Sequence, residues 1–113
     1  KNDILYLMEY TPDNKFLVYE TNGVINFFNL KAQKVTQKIK TLNSWPKKFE
    51  FDYASRYIAV AYLDKAIVWD IKSCKKMKSV SLTGDSIETI SISPDGKYIA
   101  ISWLESLISL IKI

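Results

Sequence analysis

Apolar side chains recur along this chain in short bursts separated by polar gaps, and within a burst many of them stand two apart. One such burst, Tyr98-Ile99-Ala100-Ile101-Ser102-Trp103, follows the polar stretch Ser93-Pro94-Asp95-Gly96-Lys97. Pro94 presets φ at a turn corner, Asp95 bonds its own backbone two residues on, and Gly96 takes a positive φ. The burst itself is rich in aromatic and β-branched residues, so a tight turn leading into a strand is predicted. The same arrangement stands 41 residues earlier at Asp52-Tyr53-Ala54-Ser55-Arg56-Tyr57, and 41 earlier again at Thr11-Pro12-Asp13-Asn14-Lys15-Phe16. Apolar columns align across the three copies: Phe16/Tyr57/Tyr98, Leu17/Ile58/Ile99, Val18/Ala59/Ala100 and Tyr19/Val60/Ile101, then Phe28/Trp69/Leu110. Upstream of the turn stand Met8/Phe49/Ile90 and Tyr10/Phe51/Ile92, each pair two apart as one strand face requires.

Each copy holds room for four short strands. In the second they are read as Lys47 to Asp52, Tyr57 to Leu63, Lys65 to Ile71 and Lys76 to Leu82. Four antiparallel strands per period of about 40 residues make the blade of a β-propeller, a small twisted sheet that buries both faces against its neighbours around a central axis. Burial on both sides explains why Tyr57-Ile58-Ala59-Val60-Ala61-Tyr62 is apolar throughout instead of alternating. The expected fold is all-β: blade 1 at about 4–41, blade 2 at about 45–82, and blade 3 at about 86–113 with its last strand missing. About two and three-quarter blades do not close a ring, so the chain reads as an excerpt of a longer one that supplies the remaining blades.

Composition narrows the class without changing it. The chain is 48% hydrophobic and 25% charged, and no apolar run approaches the roughly 18 residues of a membrane span. Cys74 is the only cysteine, so no internal disulfide forms, and an intracellular location, nucleus or cytoplasm, is expected. The net charge of +4 is unevenly placed. Between Lys31 and Lys48 stand six lysines and no acid; between Ile71 and Gly84 stand four and again no acid. Lys34, Lys38, Lys40, Lys75, Lys76 and Lys78 fall on or beside the fourth strand of their copies, the outer edge of a blade. Edge lysines block pairing with foreign sheets. The alternative is that this basic rim meets RNA phosphates or an acidic partner, with lysine standing where base reading would call for arginine.

Catalytic chemistry is absent from the residue list. With no histidine and one cysteine the chain supplies neither a Ser-His-Asp triad nor an ordinary structural zinc site. Its three glycines form no phosphate loop, and its twelve carboxylates are scattered through turns and edges. A non-enzymatic protein without cofactor or metal is expected.

Trp69-Asp70 at the end of a third strand, the Ser-Pro-Asp-Gly turn at Ser93 to Gly96 and the period of 41 resemble the WD-repeat family. The resemblance covers essentially the whole chain. It departs in having no Gly-His pair in any copy, and in carrying Phe28-Asn29 and Leu110-Ile111 where the Trp-Asp pair would stand. The resemblance implies a ring of usually seven blades, on the order of 290 residues, with partner-binding loops clustered at one end. Carried onto this chain, those loops contain Asn22, Asn43, Trp45, Asp64, Lys65, Asp85 and Glu105. Trp45, in a Pro-bounded loop, reads either as an exposed interface anchor or as a cover over the blade junction beside Phe49. Asp64 and Asp70 read as turn or strand-end acceptors before ligand contacts. Trp69, Asp70, Pro94, Asp95 and Gly96 are assigned structural roles.

The function these features imply is a scaffold that mediates protein-protein contacts in a larger intracellular complex, nuclear or ribonucleoprotein. The alternative is the non-catalytic propeller of a hydrolase or peptidase, gating a catalytic domain elsewhere in the chain. A third possibility is a ring closed by several copies.

Overall fold

The computed structural model describes residues 7–40, 46–82, 86–103 and 107–113. These form eleven strands: β1 (Met8–Tyr10), β2 (Phe16–Thr21), β3 (Val24–Asn29), β4 (Lys34–Lys40), β5 (Lys48–Phe51), β6 (Tyr57–Ala61), β7 (Lys65–Asp70), β8 (Lys76–Ser81), β9 (Ile87–Ile92), β10 (Tyr98–Trp103) and β11 (Leu107–Lys112). They build three antiparallel sheets, β1-β2-β3-β4, β5-β6-β7-β8 and β9-β10-β11, and the described residues contain no helix.

Strands of the second sheet are trimmed relative to their sequence limits for local reasons. Asp52 leaves β5 because its carboxylate accepts the N–H groups of Arg56 and Tyr57, each at 2.8 Å, and so closes the turn. At the far end of β6, Tyr62 N–H donates to the Lys65 carbonyl at 2.8 Å, ending the strand before Leu63. The first turn of each copy is built alike: Asn14, Ser55 and Gly96 occupy the same column with φ of 62°, 58° and 74°.

The second sheet has a face of larger side chains and a face of smaller ones. Ile58, Val60, Ile67 and Trp69 of the second sheet meet Val18, Ile25, Phe27 and Ile39 of the first in one buried cluster. Phe16 and Phe27 pack edge to face there, their centroids 5.7 Å apart. On the other side of the second sheet, Ala59, Ala61, Ala66 and Val68 meet Ile87, Ile90, Ile92, Ile99 and Ile101 of the third. The alanine methyls leave little between the backbones, so β9 comes within 8 Å of β5, β6 and β7 measured between Cα atoms. Full burial of each isoleucine in this junction contributes on the order of 1.5–3 kcal/mol.

Two faces have no sheet opposite them among the described residues. Met8 and Tyr10 on the outer face of the first sheet are 50% and 62% exposed, although their columns continue into the buried Phe49 and Ile90. On the outer face of the third sheet, Ile108 and Leu110 are each 71% exposed.

The third copy corrects the sequence columns at one place. Thr21 pairs with Val24 across two intervening residues, whereas Trp103 pairs with Leu107 across three. Strand side chains alternate faces, so this extra residue shifts which ones look inward. Ile58 pairs with Trp69, and Ile99 correspondingly pairs with Ile111, not with Leu110. Ile111 packs against the second cluster while Leu110 turns outward, and Ile111-Lys112 is the counterpart of Trp69-Asp70. Trp103, at the end of the predicted strand, is half-buried and packs against the same cluster.

Candidate partner-binding surfaces

One end of the stacked sheets carries the β2–β3 and β6–β7 connections. The first is the two-residue loop Asn22-Gly23, both with positive φ (50° and 78°), the combination a tight hairpin of this twist requires. Below it lies a polar group that the sequence reading missed. Glu20 is buried and its Oε2 accepts Gly23 N–H at 2.8 Å; Asn26 is buried and its Nδ2 donates to Thr21 Oγ1 at 2.9 Å. Glu20 stands in the column of Ala61 and Ser102, and a carboxylate in a small-residue column was the available signal.

The β6–β7 loop is tied to the connection between the second and third sheets. Leu82 N–H donates to the Asp64 carbonyl at 2.8 Å, and Ile87 N–H to the Leu63 carbonyl at 2.7 Å. Lys47 Nζ reaches the Ile87 carbonyl at 2.6 Å, and Lys48 bridges Glu50 and Thr89, each at 3.3 Å. Asp64 is exposed and Lys65 half-buried at this end, and beside them Leu63 is 58% exposed. A large apolar side chain held in the open on a hydrogen-bonded turn was not singled out from the sequence. Of the other loop candidates, Asn43, Trp45, Asp85 and Glu105 lie outside the described residues.

The opposite end carries the β1–β2 and β3–β4 turns and their counterparts in the other sheets. Asp70 Oδ1 accepts Ser73 N–H at 3.0 Å, and Asn29, one period earlier, accepts Lys31 and Ala32 N–H at 3.0 and 2.9 Å in the same way. Both side chains serve the β3–β4 type of turn. Asp95 accepts the Ser93 hydroxyl at 2.7 Å and Lys97 N–H at 3.0 Å, and these bonds, the hydroxyl's first, hold its carboxyl below the ordinary value. What the turn gains from that charge is present above the ordinary carboxylate range and fades as pH falls through the lower folded value.

Pro94 and Gly96 carry contacts between sheets. Tyr53 N–H donates to the Pro94 carbonyl at 3.0 Å, and Arg56, paired to Asp52 through Nε at 3.2 Å, donates from Nη2 to the Asp95 carbonyl at 2.7 Å. A Cβ at Gly96 would lie 2.8 Å from Arg56 Nη2 and 3.1 Å from Asp52 Oδ2. Gly96→Ala is therefore expected to lose about 2 kcal/mol through positive φ and crowding together. Asn14→Gly, at the same turn position with φ 62°, adds no side chain and is expected to stay within about 0.5 kcal/mol. Urea unfolding of both variants checks the contrast; a Gly96→Ala loss no larger than that of Asn14→Gly would show that neither the positive φ nor the crowding matters.

The lysines of the outer strands are arrayed as the edge position demands. Lys34, Lys38, Lys40, Lys75 and Lys76 are exposed and Lys78 is half-buried. The fourth strand is bulged at the same place in both copies, at the step from Gln37 to Val35 and from Lys78 to Lys76. Gln37 crosses to the next sheet, its Nε2 donating to the Ile71 carbonyl and lying 3.4 Å from the Lys72 carbonyl and 3.6 Å from Cys74 Sγ. Among the described residues no group of three or more histidine, cysteine or acidic side chains is placed to hold a metal ion.

No family model matches this chain, and no curated protein matches it. Solved structures do. The β-propeller domain of Cps50 (Swd1) from Myceliophteria thermophila superimposes with a TM-score of 0.83 at 18% identity over 99% of this chain, and hydrazine synthase of Kuenenia stuttgartiensis with a TM-score of 0.74 at 23% identity over 93%. The chain spans 38% and 31% of those two chains. The likeness establishes the fold: three consecutive sheets of a β-propeller, all-β and antiparallel. Because one of the two neighbours is an enzyme by name, the fold does not by itself separate scaffold from catalyst.

Proposed function

We propose that this chain is part of a divergent WD-repeat propeller that serves as a non-enzymatic scaffold, binding protein partners within a larger intracellular complex of the nucleus or a ribonucleoprotein. The observation that carries this reading is the fixed platform at Leu63, Asp64 and Lys65. Its backbone is bonded to both Leu82 and Ile87, so an exposed leucine followed by two opposite charges is presented without a loop to order on binding. Preorganised apolar anchors with a charged rim are what protein interfaces use. The outer faces at Met8 and Tyr10 and at Ile108 and Leu110 are taken as seats for further blades of the same longer chain, since both continue columns that are buried in the second sheet.

Cross-linking of the assembly isolated from its natural source, with amine-reactive reagent and mass spectrometry, tests the reading. Lys65 and Lys47 are expected to link to another polypeptide, and Leu63→Ser is expected to weaken that association at least tenfold, about 1.4 kcal/mol or more, with no change in thermal midpoint. Links confined to this chain, or full association by Leu63→Ser, would overturn it.

A further inference from the structure

We propose that Asn22 is a site of spontaneous deamidation, and that the buried carboxylate of Glu20 is the positioning group that holds it unreacted while the β2–β3 hairpin stays closed. The proposal stands apart from the scaffold reading and uses none of the residues of the Leu63 platform.

Among the asparagines of the chain only Asn22 is followed by glycine. Glycine has no side chain to hinder its nitrogen, so in this pair the backbone most readily attacks the side chain before it. Hydroxide takes the Gly23 N–H proton, the nitrogen forms a bond to Asn22 Cγ, and the Cγ–Nδ2 bond breaks. Nδ2 takes a proton from water and leaves as ammonia. The product is a five-membered succinimide. Water opens it at Cγ, leaving an aspartyl link, or at the backbone carbonyl carbon, leaving an isoaspartyl link in which the chain runs through Cβ. Asn22 is exposed, so hydroxide and water reach it.

The closed hairpin opposes this reaction in two ways. First, φ is 50° at Asn22 and 78° at Gly23, the signature of a type I′ turn. Ring closure needs Gly23 N on the same side of the Asn22 Cα–C bond as Cβ, whereas the I′ geometry, the mirror image of type I, turns it nearly opposite. The peptide plane between the two residues must therefore swing round. Second, Gly23 N–H donates to Glu20 Oε2 at 2.8 Å, and Glu20 is 5% exposed. The swing breaks that bond, and loss of the proton sets an amide anion against a carboxylate with little water to screen the two.

The pairing of these residues is specific to one copy. Glu20 stands in the column of Ala61 and Ser102, and neither of those is followed by Asn-Gly. A buried carboxylate is costly unless it is hydrogen-bonded, and in this column the chain places one only where the loop that follows is Asn-Gly. Conversion would matter to the fold around it. An isoaspartyl link adds a backbone atom to a two-residue connection, so the pairing of Thr21 with Val24 at its base would lose its register.

The test follows the intact protein at mildly alkaline pH by peptide-mapping mass spectrometry, which reads NH2 replaced by OH and separates the aspartyl and isoaspartyl products. Hydrogen exchange of the Gly23 amide is the second readout, because it begins with the same base-catalysed loss of the N–H proton. Conversion at Asn22 is expected to be at least tenfold slower in buffer than in urea at the same pH. Glu20→Gln keeps an acceptor and removes the charge, and is expected to raise both the conversion rate and the Gly23 exchange rate at least threefold. Glu20→Ala is expected to raise them at least tenfold, the scale of losing a charge-assisted hydrogen bond. Amides of β2 and β3 away from the loop are expected to keep their protection in Glu20→Gln, which separates loss of this bond from loosening of the sheet. In urea all three proteins are expected to convert alike, since the bond exists only in the closed hairpin. Equal rates in buffer and urea, an unchanged rate in Glu20→Gln, acceleration accompanied by lost protection throughout β2 and β3, or a difference that persists in urea would each overturn the proposal.

Discussion

Trp69→Ala is expected to destabilise the protein by about 3–5 kcal/mol, the range for emptying a large buried aromatic. Trp69 is 5% exposed and stands opposite Ile58, in the cluster that joins the first and second sheets. Removing the indole takes packing from both sheets at once, and neither is free to collapse into the gap because β7 is hydrogen-bonded on both edges, to β6 and to β8. Against a typical total stability of about 5–15 kcal/mol the loss is large. Equilibrium unfolding in urea and a calorimetric melt should show it as a lower midpoint with little change in slope. Trp69→Phe, which keeps most of the volume, is expected to lose less than about half as much. Ile111→Ala gives the internal comparison: the counterpart position in the third sheet is only half-buried, so its loss should be the smaller. A Trp69→Ala loss below about 1 kcal/mol would mean that the indole is not packed between sheets.

Asp52→Ala is expected to lose about 3 kcal/mol, by a different route. The carboxylate is fully buried and accepts the Arg56 and Tyr57 N–H groups in two part-buried hydrogen bonds, so alanine leaves both donors without it at about 1–3 kcal/mol each, partly relieved by water. The other copies supply the control. Thr11 and Ser93 occupy the same column and accept Phe16 N–H at 3.1 Å and Tyr98 N–H at 3.0 Å through hydroxyls, each with an aspartate, Asp13 or Asp95, accepting the next-door N–H. Asp52→Ser should therefore retain one of the two bonds and lose about half as much. Arg56→Ala should lose under about 1 kcal/mol, since the arginine side chain is 54% exposed and its pairing is screened by solvent. If Arg56→Ala proves as costly as Asp52→Ala, the ion pair and not the capped turn is what matters. Stopped-flow or equilibrium denaturation of the three variants distinguishes these outcomes.

Much of the architecture could be read before any coordinate. The turn closed by Gly96 needs a residue that takes positive φ, and the constant interval carried that turn back to Asn14 and Ser55, which adopt the same φ. Strands were legible because the apolar bursts were too short for helices and too regular to be loops. The lysine runs marked outer strands, since a sheet edge is where unpaired charge is tolerated. The candidate surfaces were less legible. Leu63 is apolar and sits beside a strand, so periodicity counts it as core; only the Tyr62–Lys65 closure turns it outward. Glu20 and Asp52 were counted only among carboxylates scattered through turns and edges, and the backbone N–H groups that each accepts lie next to it only once its turn has closed.

By itself, then, the order of residues determined the strand count per repeat, the turn types and the charged edges, because these depend on backbone preferences spanning a few neighbours. Tertiary structure alone decided which side chains face each other. Inward and outward positions are set by hydrogen-bond register between strands, and one extra residue between Trp103 and Leu107 exchanges Leu110 for Ile111 on the packed face. It also decided that Gln37 would reach across to Ile71, since no local rule brings together residues from two sheets until Val18, Ile25, Phe27 and Ile39, packed on Ile58, Val60, Ile67 and Trp69, have set how the first two blades stack.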